Sequence, residues 1–363
     1  MSTFIVPIVT IKTVIKHPNA DSLDILSFEE VSWQCVDKIN TRKPGDMVVY
    51  IPIDSVVDVR RPEFELLKSK AKADYSCRIR TIRLRGEISQ GLVISMPSDM
   101  IKWLCDKITG HKDCAQGISF DIPGQDVSEY YGIKKYEPPP ESIPPLSAGN
   151  YPSWCEKSDA ERYQNYNRTI EPFRDHAFYK TIKMDGASIT VFYDAETEHS
   201  GVCSRNWEIK ENSDITRLDN YWLIAKKYNL LQIVKDIAMD KGIKRLALQG
   251  EMCGPGVKGN KMGLSELQFF AFDMYNGDIG EFIEYPFFIA LCHYWKIPTV
   301  EILEVGTLGK ELDTNFAYVS QLKYDNDLPA EGVVYVAVNS QRVGTLGRLK
   351  FKFINPEFLL KYD

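Results

Sequence analysis

The first hundred residues alternate apolar and polar positions in short runs. Phe4–Ile15 alternates loosely, and Met47–Ile53 is a β-branched run opened by the turn Lys43-Pro44-Gly45-Asp46. Cys77–Leu84 alternates again and stops at Gly86, and Gln90–Met96 supplies another apolar run. Successive side chains on a strand point to opposite faces, so each run predicts a strand with one buried face. Several such strands separated by turns predict a small barrel or sandwich. Residues 101–135 are less regular, with one helix expected near Met100–Ile108. The stretch 101–125, with Trp103, Cys105 and Cys114, suggests no function.

Five prolines then fall among the nine residues 137–145. Proline fixes φ and removes a donor, so this stretch predicts a stiff, extended connector and the clearest domain boundary. Strand-like runs resume near 177–193, 201–209, 244–250, 267–275, 331–338 and 348–353. Between them, Leu218–Asp240 places Tyr221, Trp222, Ala225, Tyr228, Leu231, Val234, Ile237 and Ala238 at helical spacing, with Gly242 as the stop. The expected fold class is α+β, with a β domain over 1–135, a linker over 136–150 and an antiparallel-sheet domain flanked by helices over 151–363.

Composition narrows the function classes. A net charge of -6 excludes nucleic-acid binding through overall charge and leaves room for a local basic surface. The eight cysteines form no C-x-x-C pair, and with five dispersed histidines they suggest no zinc site. Scattered thiols fit the cytoplasm or another reducing intracellular compartment. No cleavage signal opens the chain, and no apolar run reaches the roughly 18 residues that a membrane span needs.

Candidate chemistry begins at Lys183-Met184-Asp185-Gly186, a turn between two strand-like runs. Gly186 is expected to permit a tight reversal that displays Lys183 and Asp185. A lysine becomes a nucleophile where burial or nearby cations lower its pKa. Downstream come Ser204-Arg205-Asn206, then Gln249-Gly250-Glu251 at a strand end, then the aromatic strand Leu267–Tyr275. Glu331-Gly332 opens a further apolar run, and Leu349-Lys350-Phe351-Lys352-Phe353 alternates strictly. On a strand, Lys350 and Lys352 share one face, and the three apolar residues share the core face. Two adjacent cations fit either a solvated edge or a phosphate site.

In this order the segments resemble the motifs of the covalent nucleotidyltransferases: RNA ligases, DNA ligases and capping guanylyltransferases. The resemblance implies that Lys183 attacks the α-phosphorus of ATP and carries AMP. It implies that Lys350 and Lys352 hold the α-phosphate and help to keep Lys183 unprotonated. Phe272 would stack on adenine and Arg205 would contact the ribose. Asp185, Glu251 and Glu331 would gather round Mg²⁺ or Mn²⁺, mostly through water.

Only eleven residues follow Lys352, too few for a further barrel (363 − 352). A β domain in front of the catalytic one resembles the Naegleria and Deinococcus type of RNA ligase, with its N-terminal OB-like barrel. Ser158–Asn165 is similar to a segment that precedes the nucleophile in that group, and Gly132–Pro139 to its hinge. Arg162 is then a candidate for the ATP phosphates, or else a surface arginine paired with Asp159 or Glu161. Ile182 departs from the glutamate that often precedes the lysine. Residues 16–23 and 77–91 resemble the tRNA-binding OB domains attached to some tRNA synthetases. There Arg78, Arg80, Arg83 and Arg85 are placed either to meet RNA phosphates or to form a solvated basic edge. His17 is expected as a turn residue.

The resemblance implies an ATP-dependent RNA ligase joining 3′-OH and 5′-phosphate ends, working on RNA at nicks or closely apposed ends as a monomer. The alternatives are a DNA-joining ligase, a GTP-using capping enzyme, and an OB-domain RNA-binding protein without catalysis.

Overall fold

The computed structural model describes residues 4–109, 121–137, 147–212, 219–308, 319–339 and 341–362. Most of the proline-rich connector and the centre of the 101–125 stretch, Cys114 included, lie outside the described residues. The chain divides into two compact units: Met1–Pro140 with Tyr163–Thr169 and Leu359–Asp363, and Glu141–Arg162 with Ile170–Phe358.

The first unit is a small barrel. Strands β1 (Ile8–Lys16), β2 (Leu23–Phe28), β3 (Cys35–Lys38), β4 (Met47–Ile51) and β9 (Leu92–Ile94) form an antiparallel sheet in the order β3-β2-β1-β4-β9. The sheet curls until the β3 edge meets β8 (Glu87–Gln90): Gln90 N–H donates to the Gln34 carbonyl at 2.9 Å, and Val36 N–H to Ser89 Oγ at 3.0 Å. Closure of this kind leaves few strand edges unpaired. A second sheet runs β10 (Lys134–Lys135), β5 (Ser55–Asp58), β6 (Ser76–Arg78), and β7 (Thr81–Leu84) pairs only with β8. The single strand expected over Cys77–Leu84 is therefore two. Ile79 N–H donates to the Ser55 carbonyl and Asp54 N–H to the Ile79 carbonyl, which ties that residue to the loop before β5 and re-aims the chain. The expected helix is α1 (Ser98–Thr109), whose Met100 and Leu104 join Ile8, Val49, Ile51 and Phe64 in the core. Tyr163–Thr169 packs with this unit: Trp33 Nε1 donates to Asn165 Oδ1 at 2.8 Å, and Arg168 pairs with Glu30 at 3.1 Å.

The second unit holds two sheets. The larger is ordered β11 (Ser147–Asn150), β16 (Trp207–Ile209), β15 (His199–Cys203), β14 (Ala187–Asp194), β17 (Arg245–Cys253), β18 (Gln268–Asn276), β19 (Glu281–Phe282). The smaller is ordered β12 (Glu161–Arg162), β24 (Lys350–Ile354), β21 (Gly332–Ala337), β13 (Ala177–Lys183), β20 (Ile302–Thr307). A hairpin of β22 (Arg342–Val343) and β23 (Gly347–Arg348) precedes β24. All these pairs are antiparallel except β12–β24. Ile189, Leu248 and Phe269 of the larger sheet and Val336 of the smaller share one core with Ile224, Leu230, Val234 and Ile237.

The helix expected over Leu218–Asp240 breaks in two, Asn220–Lys227 and Leu230–Lys241, with the start of that range outside the described residues. Asn229 between them takes φ 51°, a left-handed conformation that asparagine tolerates and a continuous helix does not. Both pieces keep their apolar faces on the core, so the periodicity survives the break. Gly242 ends the second piece at φ 64°.

Candidate active site

β13 belongs to one sheet and β14 to the other, so the three residues joining them, Met184, Asp185 and Gly186, cross between sheets. Antiparallel pairing sets Lys183 opposite Gly332, next to Glu331, and Ser188 opposite Glu251. Three distant motifs thus meet at one point through strand register. Gly186 serves a different end from the expected tight reversal. Its φ is not left-handed, but a Cβ there would lie 2.3 Å from the Met252 carbonyl and 2.6 Å from Cys253 Sγ. Glycine lets the crossing chain lie against β17, where Gly186 N–H donates to Glu251 Oε1 at 3.1 Å. Gly332 is needed as well, because at φ 151° its Cβ would meet the Phe353 carbonyl at 2.0 Å.

A cavity of about 290 Å³ opens here, lined by Lys183, Arg205, Glu251, Phe272, Lys350 and Lys352 among others. Asp185, Gly186, Glu331 and Arg162 adjoin these residues. Lys183 Nζ donates to Glu331 Oε2 at 2.8 Å. Burial lowers the Lys183 pKa, but Glu331, Glu251 and Asp185 outweigh it and leave the pKa raised. The expectation that Lys350 and Lys352 keep Lys183 unprotonated is therefore corrected: in the free enzyme three carboxylates hold it as an ammonium. The repulsion is felt by Lys352, brought to about 8 by burial and then by the charges of Lys183 and Arg162.

The carboxylates lie among several cations. Asp185 pairs with Lys261 at 2.6 Å, and burial pushes Glu251 up while Lys183 and Lys258 draw it down and Glu331 adds to the rise. No group of three His, Cys, Asp or Glu side chains among the described residues is close enough to hold a metal directly. A buried Glu251 raised partly by Glu331 is nevertheless the kind of site that a hydrated divalent cation relieves, and the donors are all oxygen. The residues fit Mg²⁺ or Mn²⁺ held through water.

Leu349, just before β24, and Phe351 and Phe353 within it are almost fully buried, as the alternation predicts. Lys350 is buried too, at 7% exposure, so the solvated-edge reading fails for it. Its Nζ donates to Ser158 Oγ and, at 3.1 Å, to Asp273 Oδ2. Phe272 reaches the cavity through a β-bulge. Gln249 pairs with Asp273 and Gly250 with Ala271, leaving Phe272 as the extra residue on β18. Such an insertion re-aims a side chain. Arg205 lies on the turn between β15 and β16 and pairs with Asp159 at 2.9 Å. Arg162 is carried alongside Lys352 by the parallel β12–β24 pairing.

Sequence reasoning missed Tyr324, whose hydroxyl donates to the Lys183 carbonyl and accepts from Glu331 N–H, both at 3.1 Å. It thereby ties nucleophile and carboxylate together from a loop without a recognisable pattern. Lys258 and Lys261 were also missed, although Gly256, Gly259 and Gly263 mark their loop as conformationally special. Asp273 follows Phe272 on the aromatic strand and was missed too, since a lone carboxylate among core residues carries no signal of its own.

In the first unit the four arginines do not act alike. Arg78 is committed to Asp54, with Nε to Oδ1 at 3.0 Å, and lies over the Tyr136 ring at 4.2 Å. This corrects the expectation that it is displayed for RNA. Arg80, Arg83 and Arg85 are exposed. His17 is the turn residue expected: Asn19 N–H donates to its Nδ1, so Nε2 carries the proton and donates to the Leu84 carbonyl, both at 3.0 Å. The two halves of the tRNA-binding resemblance therefore touch.

Residues 177–354 match the RNA ligase family model, and residues 5–96 match an OB-fold domain. Naegleria gruberi RNA ligase, solved as a lysine-to-alanine mutant with ATP and Mn, aligns at TM-score 0.78 and 27% identity, covering 99% of this chain and 99% of that one. A glutamate-to-alanine mutant of the same ligase with AMP and Mn aligns at 0.78 and 27%, covering 98% of each chain. An apo mutant gives 0.77 and 27%, covering 99% and 98%. No curated protein sequence matches the chain.

Proposed function

The chain belongs to the RNA ligase family, and from that premise we propose that it is an ATP-dependent ligase joining RNA 3′-OH and 5′-phosphate ends through Lys183. One observation carries the reading: Lys183 shares a cavity with Glu251, Phe272, Lys350 and Lys352. These supply a nucleophile, an aromatic base platform and cations for phosphate in one place. Arg205 is assigned to the ribose, and Arg162, held in register with Lys352, to the phosphates.

Asp185, Glu251 and Glu331 would hold a divalent cation, Mg²⁺ or Mn²⁺, through water, and when bound it would supply charge neutralisation at the α-phosphate. Against the effect of burial, the surrounding carboxylates hold Lys183 as an ammonium. The proton that Lys183 must lose before it attacks has a short path to Glu331, already hydrogen-bonded to it. The freed amine forms the P–N bond at the α-phosphorus, and the bond to the bridging oxygen breaks as pyrophosphate leaves. Lys352 neutralises charge on the phosphate oxygens, and Tyr324 holds the Lys183 backbone in place. AMP then passes to an RNA 5′-phosphate, and attack by a 3′-OH releases it.

Exposed Arg80, Arg83 and Arg85 give the OB-fold domain a local positive face despite the overall charge, which suits RNA phosphates. Nicked duplex or closely apposed ends are the proposed substrates, and a monomer the working form. All seven described cysteines are free, as a reducing intracellular compartment such as the cytoplasm would leave them. No described helix is long and apolar enough to cross a membrane.

The test offers labelled ATP or GTP, then nicked duplexes whose strands are RNA or DNA at the break. The expected outcome is AMP transfer and sealing with RNA at the reacting ends. A GMP adduct points instead to capping chemistry, sealing confined to DNA to a DNA ligase, and no adduct at all to a binding protein.

A further inference from the structure

Asp273 is fully buried, at 0% exposure, in the middle of β18. A carboxylate without water must be satisfied by protein groups or lose its charge. Here it receives Arg348 Nη1 at 2.6 Å, Lys350 Nζ at 3.1 Å and Ser158 Oγ at 2.5 Å. Burial alone would raise its pKa, yet these partners hold it below the usual carboxylate range. The charge therefore persists, and it binds two cations that would otherwise repel each other. The Lys350 ammonium also lies 5.2 Å from the centre of the Phe272 ring. The bulge that turns Phe272 into the cavity leaves Asp273 as the next residue, so one irregularity sets both the base platform and the anchor of the lysine beside it.

Resting on the reading of the site as an adenylylation centre, we propose that Asp273 is a positioning residue for nucleotidyl transfer. It fixes the charged Lys350 against Phe272 and divides the labour of the lysine pair. Lys350 is the anchored cation, already oriented before ATP arrives, and Lys352 is left to meet the phosphate. Pre-orientation of a buried charge avoids reorganisation at the moment of reaction. A simple structural role would not require the carboxylate to touch a cavity-lining lysine.

The charged groups facing Lys350 are Asp273, Arg348 and Asp159, with the first and last favouring its proton and Arg348 opposing it. Replacing Asp273 by Asn leaves Lys350 facing Arg348 without the nearer counter-ion, so Lys350 loses its proton more readily and the defect must grow with pH. Single-turnover formation of lysyl-AMP tests this in the full chain. Wild-type adduct formation tests the underlying reading separately.

Asp273→Asn is expected to lose about a hundredfold near pH ~9 and only about tenfold near pH ~6.5. In a Lys350→Met background the same change should cost less than about twofold, because a positioning residue acts through the lysine. Should Asp273→Asn fail to fold, Arg348→Gln carries the test. It removes the opposing cation, so its rate relative to wild type should rise with pH. A defect that is constant across pH in whichever of the two variants folds, or equal losses with Lys and with Met at 350, would overturn the proposal.

Discussion

The two domains use basic residues in opposite ways. In the OB-fold domain Arg80, Arg83 and Arg85 stand exposed, where water and salt weaken each charge and only their sum matters. In the ligase domain Lys183, Lys350 and Lys352 are packed among carboxylates and aromatic rings. There each charge depends on a few named neighbours, and their pKa values move in different directions: Lys183 up, Lys350 and Lys352 down. Exposure makes a basic residue part of a footprint, whereas burial makes it a reagent with an individual task.

The sharpest break in this contrast is expected from Lys352→Met, which should cut self-adenylylation by about 10²- to 10³-fold, measured as AMP incorporated in a single turnover. Next is a pH effect. Lys352 titrates near 8 in the free enzyme, and bound phosphate favours its protonated form. ATP affinity should therefore be level below that pH and weaken by up to about tenfold per unit above it. Titrations with Lys352→Arg, which stays charged, should remove the slope.

The footprint predicts smaller and more uniform losses. Changing Arg80, Arg83 and Arg85 together to Ala should weaken RNA binding about tenfold at ~0.1 M salt and flatten the log–log salt dependence by about two to three. Lysyl-AMP formation should stay within about twofold, and a parallel loss there would dissolve the contrast. A last effect, on stability rather than on binding or rate, is expected at His17→Ala. It leaves the Leu84 carbonyl and the Asn19 N–H without their partner, which should cost about 1–3 kcal/mol of barrel stability in thermal unfolding.

Much of the site was legible because its chemistry sits at strand mouths. The alternation Leu349–Phe353 forces Lys350 and Lys352 to one face whatever the rest of the fold does. Glu251 and Glu331 stand beside glycines that admit close backbone approach, and both patterns survive into the structure. What was not legible depends on partners remote in sequence. Tyr324 means nothing until strand pairing brings Lys183 and Glu331 to it, 141 and seven residues away. The charge state of Lys183 could not be read either, since it turns on the balance among residues 68 and 148 positions apart (251 − 183, 331 − 183). The fold shows the same division. The apolar stripe over Leu218–Asp240 was visible, but the break at Asn229 was not, because both helices keep that stripe on the core. Arg78 looked like its neighbours until Asp54 and Tyr136 claimed it.

The central claim is that Lys183 carries AMP. Its most direct test is the intact mass of the purified chain after exposure to ATP with Mg²⁺ or Mn²⁺, set beside that of Lys183→Ala. The account predicts a gain of one AMP in the wild type and no gain in the variant. An unmodified wild type, or an adduct of equal yield on the variant, would contradict it.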